Sequence, residues 1–493
     1  MAISDADYAI WLAADNQSRI VLVEVKAWSG GAEVTRYMSN YPFVSGPSDS
    51  PANQAYDDFV LSVPQFSHRM SEQFTGQSTP SWGDIEIANE NGDRDSWLTA
   101  DAWDARSVKM YLGDKSWARA DFRKILDGTI ADIYATGQRT LALKVRDKQW
   151  MLNVPAQTSL IGGSTANKDL PKPLCYGQAF NTEPVLTVAA THEYQVHDGG
   201  VNAISTVYDN GVSVGFTPTI ASGTFVLSAA PAGRITADVQ GAKPGGTYLT
   251  KCADIMQHLI TTHSALTTGD LDASSFSAFN TTAPQALGLY VRERQNLIEL
   301  LDALIQSVGG WYGFSRDGLL QLGRLEDPAS GTSVLDLTAD DLVEGSLRCI
   351  RRIVPVTTVR LGYRKNWTLQ TDGVAGAATE ARRADLAAEY LVSKALDAAI
   401  KTAHPLALEP ELAGTLMTVQ SDCDTEAARR LALWGVTRYV YAFDCFSAPA
   451  RVSLGQVIKL THPRFGFAGG AKAVVVGITE QPTKNRLSLE IWK

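Results

Sequence analysis

The chain has 493 residues, of which 45% are hydrophobic and 20% charged. This is enough apolar material for buried cores and too much for a wholly disordered chain. At roughly 150 residues per domain, the length predicts three or four domains. Lys and Arg total 44 against 53 Asp and Glu, a net charge of −9, which argues against a surface that wraps nucleic acid.

The first residues carry no pattern typical of export. Acidic side chains stand at Asp5 and Asp7, and no basic segment precedes an apolar one, as a secretory signal would require. The apolar stretch Tyr8–Ala14 is far shorter than the roughly 20 residues that span a bilayer as a helix. We therefore expect a chain that folds in a cytoplasm, without stable membrane insertion.

The N-terminal part is predicted to be a strand-rich domain over residues 1–152. Val21, Val23 and Val25 alternate with other residues at period two, as a half-buried strand requires. A short helix is expected over Leu98–Arg106, and residues 153–172 are interpreted as a linker. The further predicted strands are Phe59–Val63, Asp84–Ala88, Val108–Leu112, Phe122–Tyr134 and Thr140–Arg146.

The middle of the chain is predicted to hold two domains. Residues 171–245 are interpreted as a β domain, because the turn signals Asp198–Gly200 and Asp209–Gly211 separate short strands. Residues 246–345 are interpreted as an α+β domain with helices over Ala253–His263 and Arg294–Val308. The second helix carries an apolar stripe at helical spacing: Leu297, Leu300, Leu301, Leu304, Ile305 and Val308.

Residues 346–493 are predicted to form a second sheet-plus-helix domain. Helices are expected over Thr379–Ile400 and Thr425–Trp434. The predicted strands are Ile353–Val356, Val359–Tyr363, Val452–Leu460, Lys472–Thr479 and Arg486–Trp492. The first and last domains are each predicted to contain several strands and one or two helices. The sequence therefore suggests a duplicated unit separated by inserted domains.

A search for catalytic patterns assigns no catalytic, cofactor-binding or metal-binding residue. The chain has no GxSxG elbow, no HExxH and no GxGxxG that opens a helix. Gly162–Thr165 lacks the spacing and the lysine of a phosphate-binding loop. A glycosidase needs only two carboxylates, and 53 acidic residues leave that alternative open. We expect no enzyme activity and no cofactor.

The histidines and cysteines come closest to a sequence pattern that could bind a metal ion. His192 and His197, five residues apart in a strand, point to opposite faces, so we interpret them as two histidines near a turn. One predicted helix carries Cys252, His258 and His263, and we do not interpret these residues as metal ligands either. The five cysteines lack any CxxC pair and are predicted to be small buried thiols rather than iron–sulfur ligands: Cys175, Cys252, Cys349, Cys423 and Cys445.

Several strand-and-turn phrases, which together span most of the chain, resemble one family. They are Gly83–Gly92, Pro171–Gly177, Tyr194–Gly199, Val207–Gly211, Gly233–Gly241, Gly309–Tyr312, Ser453–Val457, Thr461–Gly466 and Leu487–Trp492. They are similar to tail-tip or baseplate hub proteins of long-tailed bacteriophages and gene transfer agents.

The resemblance implies a mainly β fold with α+β domains. Two tail-tube-like sheet-plus-helix domains, of barrel or sandwich type, would stand at the two ends with inserted domains between them. It also implies a homotrimer that closes the distal end of the tail tube in the virion. The implied partners are the tail tube, distal tail and tape measure proteins, the tail-tip fibres or spikes, and phage DNA in passage.

Two other functions remain as alternatives to this structural role. One is a tail-associated cell-wall or polysaccharide hydrolase, which requires two converging carboxylates in a cleft. The other is a receptor-binding adhesin, which requires tight binding to host cells through exposed aromatic loops. For the structural role we expect a hydrophilic, net negative lumen that repels the phosphates of exiting DNA.

Overall fold

The computed structural model describes residues 3–14, 17–446, 452–481, 483 and 486–493. The fold is mainly β, as the sequence predicts. The N-terminal elements are α1 (Asp5–Ala13), β1 (Arg19–Ser29), β2 (Ala32–Ser39), β3 (Phe43–Val44), β4 (Ala55–Tyr56), β5 (Val60–Ser62), β6 (Phe66–Arg69), β7 (Gly76–Gln77), β8 (Thr79–Trp82), β9 (Asp84–Ala88), α2 (Asp95–Thr99), β10 (Ser107–Asp114), β11 (Arg123–Gly137) and β12 (Thr140–Arg146).

One antiparallel sheet organises these elements, with the strand order β2-β1-β10-β11-β12-β9-β5. Its apolar face and α1 enclose a common core, to which the helix contributes Tyr8, Trp11 and Leu12. The helix predicted over Leu98–Arg106 is wrong: α2 ends at Thr99, and Ala102 is hydrogen-bonded to Trp28 of β1 instead.

The middle elements are β13 (Leu174–Thr182), β14 (Val185–Val188), β15 (Glu193–Gln195), β16 (Val201–Asp209), β17 (Val212–Val214), β18 (Phe216–Thr219), β19 (Thr224–Leu227), β20 (Ile235–Ala242), α3 (Cys252–His263), α4 (Ala273–Thr282), β21 (Gly288–Val291), α5 (Leu297–Ser307), β22 (Gly310–Phe314) and β23 (Leu320–Arg324). They include two sheets with the orders β17-β16-β20-β13-β21 and β14-β15-β19-β18. Pairing of β13 with β21 crosses the predicted limit at residues 245 and 246, so the domain division remains a proposal.

Helix α5 follows the predicted apolar stripe, and Leu297, Leu301 and Leu304 are fully buried. It begins at Leu297, three residues later than predicted, and the chain turns at Gly309, whose φ of +68° favours glycine. Helix α4 was not predicted. The side chain of Asp272 caps it by accepting from the N–H groups of Ser274 and Ser275.

The C-terminal elements are β24 (Ser333–Leu337), β25 (Arg348–Ile353), β26 (Thr358–Tyr363), α6 (Glu380–Ala387), β27 (Leu391–Leu396), α7 (Ala399–Ala403), β28 (Ala413–Gly414), α8 (Gln420–Trp434), β29 (Arg438–Cys445), β30 (Val457–Leu460), β31 (Ala471–Gln481) and β32 (Arg486–Trp492). Short 3₁₀ turns stand at Arg119–Asp121, Gln149–Leu152, Pro244–Gly246, Thr268–Asp270, Pro328–Ser330 and Ala339–Asp341. No helix in the described ranges is long and apolar enough to cross a membrane.

The single helix predicted over Thr379–Ile400 is wrong, because strand β27 interrupts it. Leu391–Leu396 pairs antiparallel with β26, and its exposure alternates at period two rather than at helical spacing. The strand predicted over Ile353–Val356 begins earlier, at Arg348, and ends at Ile353. Strands β26–β28 form their own small sheet, whose residues join the core of α3, α5 and α8.

The sheets near the two ends of the chain share one connectivity. The first contains the order β10-β11-β12-β9-β5 and the second β30-β31-β32-β29-β25, with antiparallel neighbours throughout. We call these sets of five strands the N-unit and the C-unit. In each set the chain passes first through one edge strand (β5 or β25), then its neighbour (β9 or β29), then the opposite edge strand (β10 or β30), and last through the two strands between them. This shared connectivity is the basis for treating the two units as equivalent.

Register strengthens the equivalence of the two units. In the N-unit, β11 bulges between Ile130 and Asp132, and Asp132 lies opposite Lys144 of β12. In the C-unit, β31 bulges between Val475 and Gly477, and Gly477 lies opposite Glu490 of β32. Counting along both hairpins from these bulges therefore aligns residues 132–135 with residues 477–480.

Candidate assembly surfaces

The segment Val60–Ala88, which we call the arm, extends from one unit to the other. At its base, β5 and β9 belong to the N-unit. Beyond Pro64 on one side and Gly83 on the other, the arm continues as β6 and β8, and β6 pairs with β31 of the C-unit. The N-unit therefore adds a strand to the sheet of the C-unit within one chain.

Side chains reinforce this seam between β6 and β31. The paired segments run from Phe66 opposite Glu480 to Arg69 opposite Gly477. The hydroxyls of Ser67 and Thr479 are hydrogen-bonded at 3.2 Å. Arg69 forms an ion pair with Glu490 at 2.9 Å, and because Arg69 is largely exposed this pair contributes at most about 1 kcal/mol.

Two buried polar contacts lie directly behind the seam. Arg316 and Glu480 form an ion pair at 2.6 Å, with side chains 10% and 4% exposed. The Nε2 atom of His68 lies 2.7 Å from the Ser78 hydroxyl. Burial, together with the positive charge of Arg316, lowers the pKa of His68 to about 4, so this imidazole is neutral at neutral pH.

The tip of the arm contacts two further parts of the chain. The ring of Phe74 stacks on Trp434 of α8 at 6.0 Å between centroids. The guanidinium of Arg351 lies 4.7 Å from the centre of the same phenyl ring. Strand β7 pairs in parallel with β22, so that Gly76 lies opposite Trp311. The arm is thus held at its base, seam and tip.

Among the strand edges that are unpaired in the described residues, two belong to the N-unit and the C-unit and bear on assembly. Strand β25 stands at the end of the C-unit sheet, and Arg348, Cys349, Ile350 and Arg352 are exposed. In β11, the pairs with β10 stop at Thr129, and within the described ranges the segment beyond Ile130 pairs with β12 alone. Unpaired edges of this kind are where another strand can add.

The β11 edge partly satisfies its own backbone. The N–H of Ile133 donates to the Asp132 carboxylate at 2.8 Å, and Tyr134 is hydrogen-bonded through its hydroxyl to Asp84. Asp132, Tyr134 and Ala135 are exposed. A charged side chain that occupies an edge N–H protects a free edge against non-specific strand pairing.

Each unit presents a polar face opposite its apolar core. On the N-unit, Lys144 lies opposite both Asp84 and Asp132. On the C-unit, the Ser488 hydroxyl donates to the carboxylate of Asp444 in the neighbouring strand. Each cross-strand pair of this type stabilises a sheet by about 0.2–1 kcal/mol.

Two of the histidines considered as metal ligands have protein partners instead. His197 is buried, and its Nδ1 atom accepts the backbone N–H of Cys175 at 3.0 Å. Burial lowers the pKa of His197 to about 4. The hydroxyl of Tyr176 lies 3.0 Å from Nδ1 of His258. Among the described residues, no group of three His, Cys, Asp or Glu is placed to hold a metal ion.

The prediction that the cysteines are buried thiols is correct for Cys175, Cys252, Cys423 and Cys445 and wrong for Cys349. Cys349 is exposed because it belongs to the open edge strand β25. No sequence motif pointed to β25 or to the arm. Pro64 and Gly83, where the arm leaves the N-unit, are the signals that were available.

One surface cleft bears on the hydrolase alternative. Asp340, Glu344, His462 and Phe465 are among the residues that line a cleft of about 540 Å³. Asp340 and Glu344 are both exposed. They are the two carboxylates of this cleft that a test of the hydrolase alternative has to change.

No family model matches the chain, and no curated protein does. Among solved structures, it is similar to a tail protein from Neisseria meningitidis MC58, with 10% identity, 96% of each chain covered and a TM-score of 0.39. It is also similar to the 43 kDa tail protein of prophage MuSo2 from Shewanella oneidensis, with 10% identity, 96% of this chain and 98% of that chain covered, and a TM-score of 0.40.

A third similar chain comes from the virion of a native gene transfer agent particle. The identity is 14%, the match covers 67% of this chain and 85% of that chain, and the TM-score is 0.40. The three descriptions name tail proteins and a gene transfer agent virion.

Proposed function

We propose that this protein is a structural part of a phage-like tail tip, a hub that closes the distal end of the tail tube as a homotrimer. The observation that carries the proposal is the pair of equivalent units joined edge to edge by the arm. One chain would thus supply two neighbouring segments of a ring. Three chains would present six such units to a sixfold tube.

The sequence resemblance supplies the remaining parts of the proposal. The hub would contact the tail tube, distal tail and tape measure proteins, and the fibres or spikes at the tip. The elements inserted between the two units, from β13 to β23, would lie outside the ring and hold such neighbours. The chain would be assembled in the host cytoplasm and act in the virion.

We further propose that the polar faces of the two units line a conduit for DNA. Carboxylates on these faces include Asp84, Asp132, Asp444 and Glu490. Of the cations near these faces, Lys144 lies opposite Asp84 and Asp132, and Arg69 is paired with Glu490. Arg348 lines the same cleft as Asp444 and Glu490. Phosphate would therefore meet few unpaired positive charges, which lets DNA pass during genome ejection without binding tightly.

The test of the proposed function is a deletion of the gene in the producing strain. We expect tubes without a normal distal tip and a loss of infectious or DNA-transferring particles, both restored by the wild-type gene in trans. Antibody labelling of intact particles should place the chain at one end of the tail. Particles that are complete and active without the protein would contradict the proposal.

The hydrolase alternative predicts a different result for the purified chain. Turbidity of a cell-wall suspension would fall, and the variant Asp340→Asn with Glu344→Gln would abolish that activity. We expect no loss of turbidity with either protein. Activity that depends on these two carboxylates would replace the structural proposal with an enzymatic one.

A further inference from the structure

The internal seam shows which strand edges would join two copies of this chain. This inference rests on the proposed function and deepens it. In the seam, β6 of the arm pairs with residues 477–480 of β31. The aligned segment of the N-unit is Asp132–Ala135 of β11, and its outer edge is unpaired within the described ranges. The N-unit therefore contains an edge equivalent to the accepting edge of β31, but no strand in the described ranges is paired with it.

The donating strand also has a counterpart. In the arm, Ser67 of β6 lies opposite Ser81, and His68 opposite Pro80. In the C-unit, Arg352 of β25 lies opposite Tyr439, and Ile353 opposite Arg438. Because the unit registers align residues 84–87 with 442–445, residues 80 and 81 correspond to 438 and 439.

We propose that β25 of one copy adds to β11 of a second copy, as β6 adds to β31 within the chain. Carried over from the seam, the register sets Ile353 against Ile133 and Arg352 against Tyr134. Both edges are exposed, and the donor strand carries Arg348, Arg351 and Arg352 whereas the acceptor segment carries Asp132. The partner is a second copy because the two edges lie on opposite units of one chain.

This contact joins two different surfaces, so it is a head-to-tail contact that closes when the rotation between copies completes a circle. With two units per chain, internal seams and contacts between copies would alternate around the ring. In the C-unit, the position that matches Asp132 is Gly477, which has no side chain to compete for a backbone N–H. In the N-unit, the Asp132 carboxylate would release the N–H of Ile133 so that the incoming strand can accept it.

Cross-linking of engineered cysteines tests the contact on the full chain. In a Cys349→Ser background, the test protein carries Tyr134→Cys and Arg352→Cys. The matched control carries Ser67→Cys and Thr479→Cys, whose native hydroxyls lie 3.2 Å apart across the internal seam. A short bis-maleimide tolerates a slip of one residue. A second control combines Tyr134→Cys with Thr35→Cys on β2.

We expect the test protein to give covalent dimers and larger species, with a cross-linked peptide that joins residues 134 and 352 of different chains. The seam control should cross-link within one chain, and the β2 control should remain monomeric on a denaturing gel. A test protein that stays monomeric while the seam control reacts would overturn the inference.

Intact particles separate this inference from the proposed function. If the chain is present at the tail tip and the seam control reacts there while the test pair does not, the inference fails and the proposed function stands. If the purified test protein forms covalent rings but the chain is absent from particles, the contact stands and the proposed function fails.

Discussion

His68 is the residue at which the arm responds to pH. In the folded chain its imidazole is buried with a pKa of about 4, against an ordinary value of 6.5. Between these two values the unfolded chain binds a proton that the folded chain does not. The free energy that holds the seam closed therefore falls as the pH is lowered through this range, and it is fully present only above pH 6.5.

We predict that His68→Gln removes this dependence. For the wild type, His68 contributes a loss of about 2 kcal/mol between pH 7 and pH 5, which corresponds to roughly 30-fold faster opening. Hydrogen exchange of β6 and β31 peptides, corrected for intrinsic rates, should show this loss in the wild type and a smaller one in the variant. His404→Gln is the control, because His404 lies outside the seam and should leave the wild-type slope unchanged.

At the scale of elements, the arm depends on its anchored tip. Phe74 is 5% exposed and packs between the indole of Trp434 and the guanidinium of Arg351. An aromatic side chain buried in this way connects the loop between β6 and β7 to helix α8, although the two are far apart in sequence. The tip therefore opens less readily than a surface loop of the same length.

We predict that Phe74→Ala frees the tip without unfolding the two units. Removal of a buried phenyl group costs about 3–5 kcal/mol, and here the loss falls on the local contact with α8. Limited proteolysis should cut between β6 and β8 much faster than in the wild type, while β11 and β32 remain protected. Leu61→Ala at the arm base, where the side chain is 57% exposed, should cleave like the wild type.

Elements with strong local periodicity were predictable, and those that depend on distant pairing were not. The stripe on α5 and the alternation in β32 appear in the sequence because each buries one face. The Ala-rich segment 379–400 was wrongly predicted to be one helix. Pairing with the edge of β26 stabilises Leu391–Leu396 as a strand, although the composition of the segment favours a helix.

The arm shows the same limit for the candidate site. Ser67 and Thr479 are 412 residues apart, and neither carries a motif that names the other. Sequence reasoning predicted two similar end domains because strands alternate at both ends. It missed the seam, the basic edge β25 and the free edge of β11, because edges are defined by which strands fail to pair.

For the whole molecule, the seam between β6 and β31 is complete within one chain. Under the contact we propose, β25 would donate and β11 would accept in a second seam, and the two strands lie on different units of the chain. A free donor edge and a free acceptor edge on the same chain favour association until both of these edges are paired. A closed ring meets that condition with a fixed number of copies, whereas an open chain of copies always leaves two edges free. Three copies are the number that the proposed function requires.

We predict that Ala135→Pro prevents this association. Ala135 is exposed on β11, two residues beyond Ile133, so its N–H lies on the same outer edge. Proline has no N–H to donate, and its ring occupies the space of an incoming strand, yet it is tolerated on a free edge. Light scattering on a sizing column should report single chains of 53.2 kDa at concentrations where the wild type forms trimers.

The control is Ala135→Val, which retains the N–H and favours strand conformation. It should associate like the wild type, while circular dichroism of both variants should match that of the unmodified chain. If the proline variant is folded and forms trimers with the same concentration dependence as the wild type, the outer edge of β11 is not a contact between copies. The ring would then have to close through other surfaces, with the N-unit edge exposed in the assembly.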